Sequence, residues 1–135
     1  YQSYAKQVIT NAKALAAGLV EEGMRAVSGG TETHLALIDI RATGVNGKVA
    51  DERCGNSGIT LNKNSIPYDP EKPAISSGIR VGTAATTTQG MGTGEMRQIA
   101  SLIARAIKDG EDADKAAAIK SEVHALTKKF PIYTR

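Results

Sequence analysis

The sequence predicts an α/β domain of the α+β-like kind, a small sheet covered by helices. Three observations carry this. The elements read in the order helix, two strands, short helix, strand, loop, strand, two helices, without the strict alternation of a doubly wound fold. The segment His34–Ile40 (HLALIDI) is almost continuously apolar, as a strand covered on both faces would be. Aromatic residues make up only 4% of the chain against 41% hydrophobic, so the core must be built from Ile, Leu, Val, Ala and Met.

Residues 3–22 have the spacing of an amphipathic helix, with Val8, Ala12, Leu15, Ala16 and Leu19 on one face and Lys6, Lys13, Glu21 and Glu22 mostly off it. Gly23 is placed to stop it in a left-handed conformation. Residues 24–28 are short and partly β-branched, and Ser28-Gly29-Gly30-Thr31 reads as a turn before the strand over 34–40. Thr43–Asn46 is a loop, and Asn46 is placed to cap a short helix over 47–55. Gly58–Leu61 reads as a short strand. From Asn62 to Ser77 the chain is polar, and Pro67, Pro70 and Pro73 forbid a regular helix. A loop of this length in a compact domain is commonly functional or disordered. Gly78–Gly82 is a strand bounded by glycines, and a Thr/Gly-rich connection runs from Thr83 to Gly94. A helix over 94–108 turns Met96, Ile99, Ala100, Ile103 and Ile107 to one side and ends at Gly110. The last helix, about 112–129, has Ala116, Ile119, Val123 and Leu126 inward and is stopped by Pro131. No repeat or internal boundary is visible, so residues 1–135 read as one domain.

The charge balance, 17 basic against 14 acidic residues, does not select a partner, and the lysines 120, 128 and 129 read as a solvated helix face. A single cysteine, Cys54, excludes an internal disulfide and favours a reducing compartment. It reads as a buried, inert thiol. No apolar run reaches the length of a membrane span. Tyr1–Tyr4 lacks an initiator Met and a signal layout, and the expectation is a cut inside a longer protein.

Among candidate site residues Arg80 stands first. An arginine inside an otherwise apolar strand is costly to bury without an anion, and its planar fork suits a carboxylate. From the residues alone, an ion pair with Asp39 or Glu95 is the plainer reading. The amides of Asn62-Lys63-Asn64 can donate and accept together, which suits the edge of a heterocycle, and a simple turn is the plainer reading there. The glycines do not form a phosphate loop. Gly78–Gly82 has no following Lys-Ser/Thr, and Gly90-Met91-Gly92-Thr93-Gly94 follows no apolar strand. His34 and His124 lack ligand spacing, so no metal site is expected.

Together the segments resemble the C-terminal small domain of serine hydroxymethyltransferases. SGGTETHLALIDIR at 28–41, GITLNKNSIPYDPEKP at 58–73 and SGIRVGTAATTTQGM at 77–91 occur in that family's order, and YQSYAKQVITNAKALAAGL resembles the helix that enters its small domain. The resemblance implies the C-terminal domain of a fold-type I pyridoxal-phosphate transferase, with a mostly antiparallel sheet. It implies interconversion of serine and glycine with tetrahydrofolate as the one-carbon acceptor. The Schiff-base lysine and the residues that hold pyridoxal 5'-phosphate would lie in a large domain of the same enzyme. Thr86-Thr87-Thr88-Gln89 does not supply the His-Lys that ends the family's threonine-rich motif, so the chain alone is expected to be inactive and to contribute no catalytic residue.

Carried over by position, Arg80 would bind the substrate α-carboxylate, reversing the plainer reading of that residue. Asn64 would bind the folate pterin, with Lys72, Pro73 and Ala74 beside the folate. The resemblance further implies a cytoplasmic homodimer or tetramer that meets serine and glycine and touches neither membrane nor nucleic acid. The family often has an aromatic residue where Ala74 stands, usually Pro at Ala84 and often Arg at Gln89. These departures leave room for a pyridoxal-phosphate aldolase or transaldolase, or an α-methylserine enzyme. A non-catalytic folate- or RNA-binding module is the alternative of another class, the RNA version being allowed by an isoelectric point near 9.1.

Overall fold

The computed structural model describes residues 2–27, 35–59, 61–82 and 92–129. The order is α1 (Gln2–Glu21), β1 (Arg25–Ala26), β2 (Leu35–Asp39), a 3-10 turn at Arg41–Thr43, α2 (Gly47–Asn56), β3 (Asn62–Asn64), β4 (Gly78–Gly82), α3 (Thr93–Asp109) and α4 (Ala113–Lys129). The strands form one antiparallel sheet in the order β1-β2-β4-β3. The order and type of the elements are those read from the sequence.

The helical stripes are buried as their spacing demands. Val8, Ala12, Leu15, Ala16 and Leu19 of α1 are all buried. So are Met96, Ala100, Ile103 and Ile107 of α3 and Ala116, Ile119 and Leu126 of α4, while Ile99 and Val123 are half-buried. Helices α1 and α3 approach so closely that a Cβ at Gly18 would lie 2.7 Å from Cβ of Ala100. Gly23 has φ 97° and leaves α1 in the left-handed conformation, and Asn46 Oδ1 accepts from Val49 N–H at 2.9 Å to cap α2. Asp112 starts α4 by accepting from the N–H groups of Asp114 and Lys115. Lys120 and Lys128 are exposed.

One strand is displaced from its expected position. Gly58, Ile59 and Leu61 lie outside any strand although the sequence predicts one there, and the strand is Asn62–Asn64. The reason is helix termination. Gly58, at φ 79°, donates its N–H to Gly55 O, and Ile59 donates to Cys54 O at 2.8 Å, so these two residues are spent closing α2. Leu61 is buried in the core. The next residues, although polar, pair with β4 on the sheet edge, where one side of a strand meets solvent. The expected long loop therefore shortens to residues 65–77. The turn at 28–31, His34 and the connection 83–91, with Ala84 and Gln89, lie outside the described residues.

Candidate functional site on the outer face of the sheet

Register fixes which side chains share a face. Ile38 pairs with Ile79 and points with Val81 into the core, all three buried. Alternation then turns Leu37 and Arg80, and on the edge strand their neighbour Asn62, to the opposite face. One row along, Arg25, Asp39, Gly78 and Asn64 occupy that same outer face. Asn64 is thus the diagonal neighbour of Arg80, a separation of about 7–8 Å for such pairs.

Arg80 is exposed. Neither acid that the sequence offers as its ion-pair partner holds it. Asp39, 4% exposed, accepts from Arg25 Nη2 and from Arg41 Nη2, each at 2.8 Å, and from Arg41 N–H at 3.0 Å. Burial acts to raise the Asp39 pKa, but hydrogen bonds from the Arg41 side chain and backbone and from Arg25 outweigh it and bring the carboxyl down from 3.8 to about 2. Glu95 accepts from Gly92 N–H at 2.7 Å and closes the first turn of α3. Among the described residues no carboxylate pairs with the Arg80 guanidinium. On the outer face Arg80 therefore stands beside Asn62 and close to Asn64, exposed and, among the described residues, without a carboxylate partner.

Asn64 spends one donor locally, Nδ2 to Ser65 O at 2.9 Å, and is half-buried. Lys72, Pro73 and Ala74 are exposed and lie on the loop, not on the sheet. Lys72 O accepts from Ile75 and Ser76 N–H and Pro73 O accepts from Ser76 Oγ, all at 2.8 Å, which folds this stretch into a turn leading to β4.

The sequence reading missed the residue that organises the loop. Asp69 Oδ2 accepts from the N–H groups of Ile66 (3.1 Å) and Ser77 (2.8 Å), and Oδ1 from Glu71 N–H (2.8 Å) and Ser77 Oγ (2.7 Å). Desolvation acts to raise its pKa, and these four bonds overcome it, lowering the carboxyl from 3.8 to about 2. The Tyr68-Asp69-Pro70 run carried a signal for it, because Asp before Pro initiates turns. The Arg25–Asp39–Arg41 cluster had no comparable signal, since strand pairing brings Arg25 to Asp39.

Cys54 is fully buried, and burial, reinforced by Asp51, pushes its thiol up to about 12, which removes it from thiolate chemistry near neutral pH. Among the described residues there is no cluster of three His, Cys, Asp or Glu able to hold a metal ion, and no helix is long and apolar enough to cross a membrane.

Comparison with known proteins gives the family of the chain. The chain is 49% identical over 133 residues to the serine hydroxymethyltransferase of Paracidovorax citrulli (strain AAC00-1), covering 98% of this chain and 32% of that protein. It is 48% identical over 139 residues to the serine hydroxymethyltransferase of Methylorubrum extorquens (strain PA1), again covering 98% of this chain and 32% of that one. The chain thus spans about a third of the length of these curated relatives. The family model for serine hydroxymethyltransferase matches residues 1–103, a stretch that contains all four strands and the loop, and by that match the chain belongs to the serine hydroxymethyltransferase family.

Proposed function

We propose that this chain is the substrate-facing small domain of a pyridoxal-phosphate-dependent glycine hydroxymethyltransferase, which interconverts serine and glycine with tetrahydrofolate as one-carbon acceptor. The observation that supports the reading best is Arg80: an exposed guanidinium on a sheet strand, with the nearby carboxylate Asp39 already held by two other arginines. A guanidinium so presented suits an incoming carboxylate, which it can grip through two parallel hydrogen bonds. Its role is to hold the amino acid by its α-carboxylate so that the bond to be broken is correctly oriented. Asn64 offers a carbonyl oxygen and an N–H to a heterocycle edge and is assigned to the pterin, with Lys72, Pro73 and Ala74 beside the rest of the folate.

Pyridoxal phosphate, when bound, supplies the electron sink for the chemistry at the α-carbon. The outer face does not fit the cofactor itself. Among the described residues, Arg80 with the amides of Asn62 and Asn64 matches a carboxylate and a ring edge, and these three side chains offer no phosphate cradle. Cofactor binding is therefore assigned to the large domain of the same enzyme, the first partner of this chain. The reading places the assembled enzyme in the cytoplasm as a homodimer or tetramer.

The test is Arg80→Lys in the full-length enzyme. Lysine keeps the charge and loses the fork, so one of two charge-assisted bonds disappears, and kcat/KM for serine should fall about 10- to 100-fold. Unchanged serine kinetics would remove the assignment of Arg80. The 135-residue chain alone should show no serine-to-glycine turnover.

A further inference from the structure

We propose that Asp69 is a positioning residue for the amino-acid and folate subsites: its carboxylate sets the placement of Asn64 and Arg80 by tying the end of β3 to the start of β4. The inference rests on the roles assigned to those two residues above.

The geometry carries it. Ile66, whose N–H is held by Asp69 Oδ2, stands two residues after Asn64. Ser77, held through both N–H and Oγ, stands three residues before Arg80. One carboxylate thus bonds both roots of the loop, and a fourth bond, from Glu71 N–H, holds its middle. The ladder it supports is short, pairing only Asn62–Asn64 with Gly78–Arg80.

The loop also contains two non-glycine residues in the left-handed region, Tyr68 at φ 55° and Ser76 at φ 61°. Each is the chain neighbour of an anchored residue, Tyr68 of Asp69 itself and Ser76 of Ser77. Such conformations persist where surrounding bonds over-determine them. Tyr68 is fully exposed, so side-chain packing does not hold it there. An ionised carboxylate is acceptor-only, which matches four converging donors, whereas the NH2 of an asparagine would face N–H groups.

Three variants of the full-length enzyme test the proposal. Asp69→Asn should raise KM for serine and for tetrahydrofolate together, each about tenfold, with a smaller change in kcat, because the displaced groups bind substrates. Ser77→Ala removes one of the four bonds and leaves the fold intact, and should raise both KM values about threefold. In the chain itself, amide hydrogen exchange at Ile66, Glu71 and Ser77 should speed up in Asp69→Asn. Folded Asp69→Asn with both KM values unchanged overturns the proposal. If that variant does not fold, unchanged KM values in Ser77→Ala overturn it. Arg80→Lys separates the two levels. A raised serine KM there with none in the loop variants sinks the positioning role alone, while an unaffected Arg80→Lys sinks the carboxylate reading and this inference with it.

Discussion

The two faces of the sheet differ in burial within three consecutive residues. On β4, Ile79 and Val81 are 0% and 5% exposed and belong to the core formed with α1 and α3, while Arg80 between them is exposed. The inner face is apolar through Ala26, Ile38, Ile79 and Val81 and ends at the edge strand in the exposed Lys63. The outer face carries Arg25, Asp39, Arg80, Asn62 and Asn64, and its one buried charge is neutralised by two arginines. A strand's period of two makes this possible: a residue can be placed for recognition while its neighbours on either side anchor the backbone beneath it. Stability and recognition can then be altered separately.

The largest expected effect lies on the inner face. Ile79→Ala deletes a fully buried side chain at the centre of the sheet and should cost about 2–5 kcal/mol, read as a lowered urea midpoint at unchanged slope. A loss below about 1 kcal/mol would mean that the inner face is not the stabilising one.

An intermediate effect lies with the two bonded carboxylates. Asp39 and Asp69 both have folded pKa values of about 2, below the 3.8 of the free group. Depressed values of this kind contribute stability that is fully present above the unfolded pKa and is lost as protons bind the folded state. Urea midpoints should therefore be level above about pH 4 and fall between about pH 4 and 2. Asp39→Asn should flatten part of that fall, and an unaltered acid limb would show that the outer-face cluster contributes nothing to folding.

The smallest effect is the one that sharpens the contrast most. Arg80→Ala should leave the stability of the chain within about 0.5 kcal/mol of the parent, because the guanidinium is exposed and unpaired with any described carboxylate. A substantial loss would identify Arg80 as a structural residue and blur the two faces into one.

Legibility from the sequence followed the range of the interactions. The stripes of α1, α3 and α4 were readable because burial repeats along a single helix, and the cap at Asn46 and the stop at Gly23 because their partners are within a turn. The shift of the third strand from Gly58–Leu61 to Asn62–Asn64 was not readable. Apolar content pointed to the earlier segment, and only the closing hydrogen bonds of α2 and the pairing with Gly78–Arg80 decide otherwise. Arg80 was legible as an anomaly in an apolar strand and through its family motif, yet the sequence left Asp39 and Glu95 open as partners. Asp69 had a local signal in its Asp-Pro turn and in its bonds to Ile66 and Glu71, whereas the two bonds to Ser77, eight residues on, exist only in the folded loop.

Hydrophobic period, capping residues and motif order determined by themselves that this chain folds as helices over a small sheet and to which family it belongs. Tertiary structure decided which carboxylate each arginine meets, that Asn64 lies diagonal to Arg80, and that Gly78, where a Cβ would lie 2.8 Å from Ile66 Cγ2, leaves room for the loop to fold back over the sheet. The physical reason is that periodicity and capping are set by bonded neighbours along the chain. Charge pairing, register and close approach are set by segments that meet only after the core has formed.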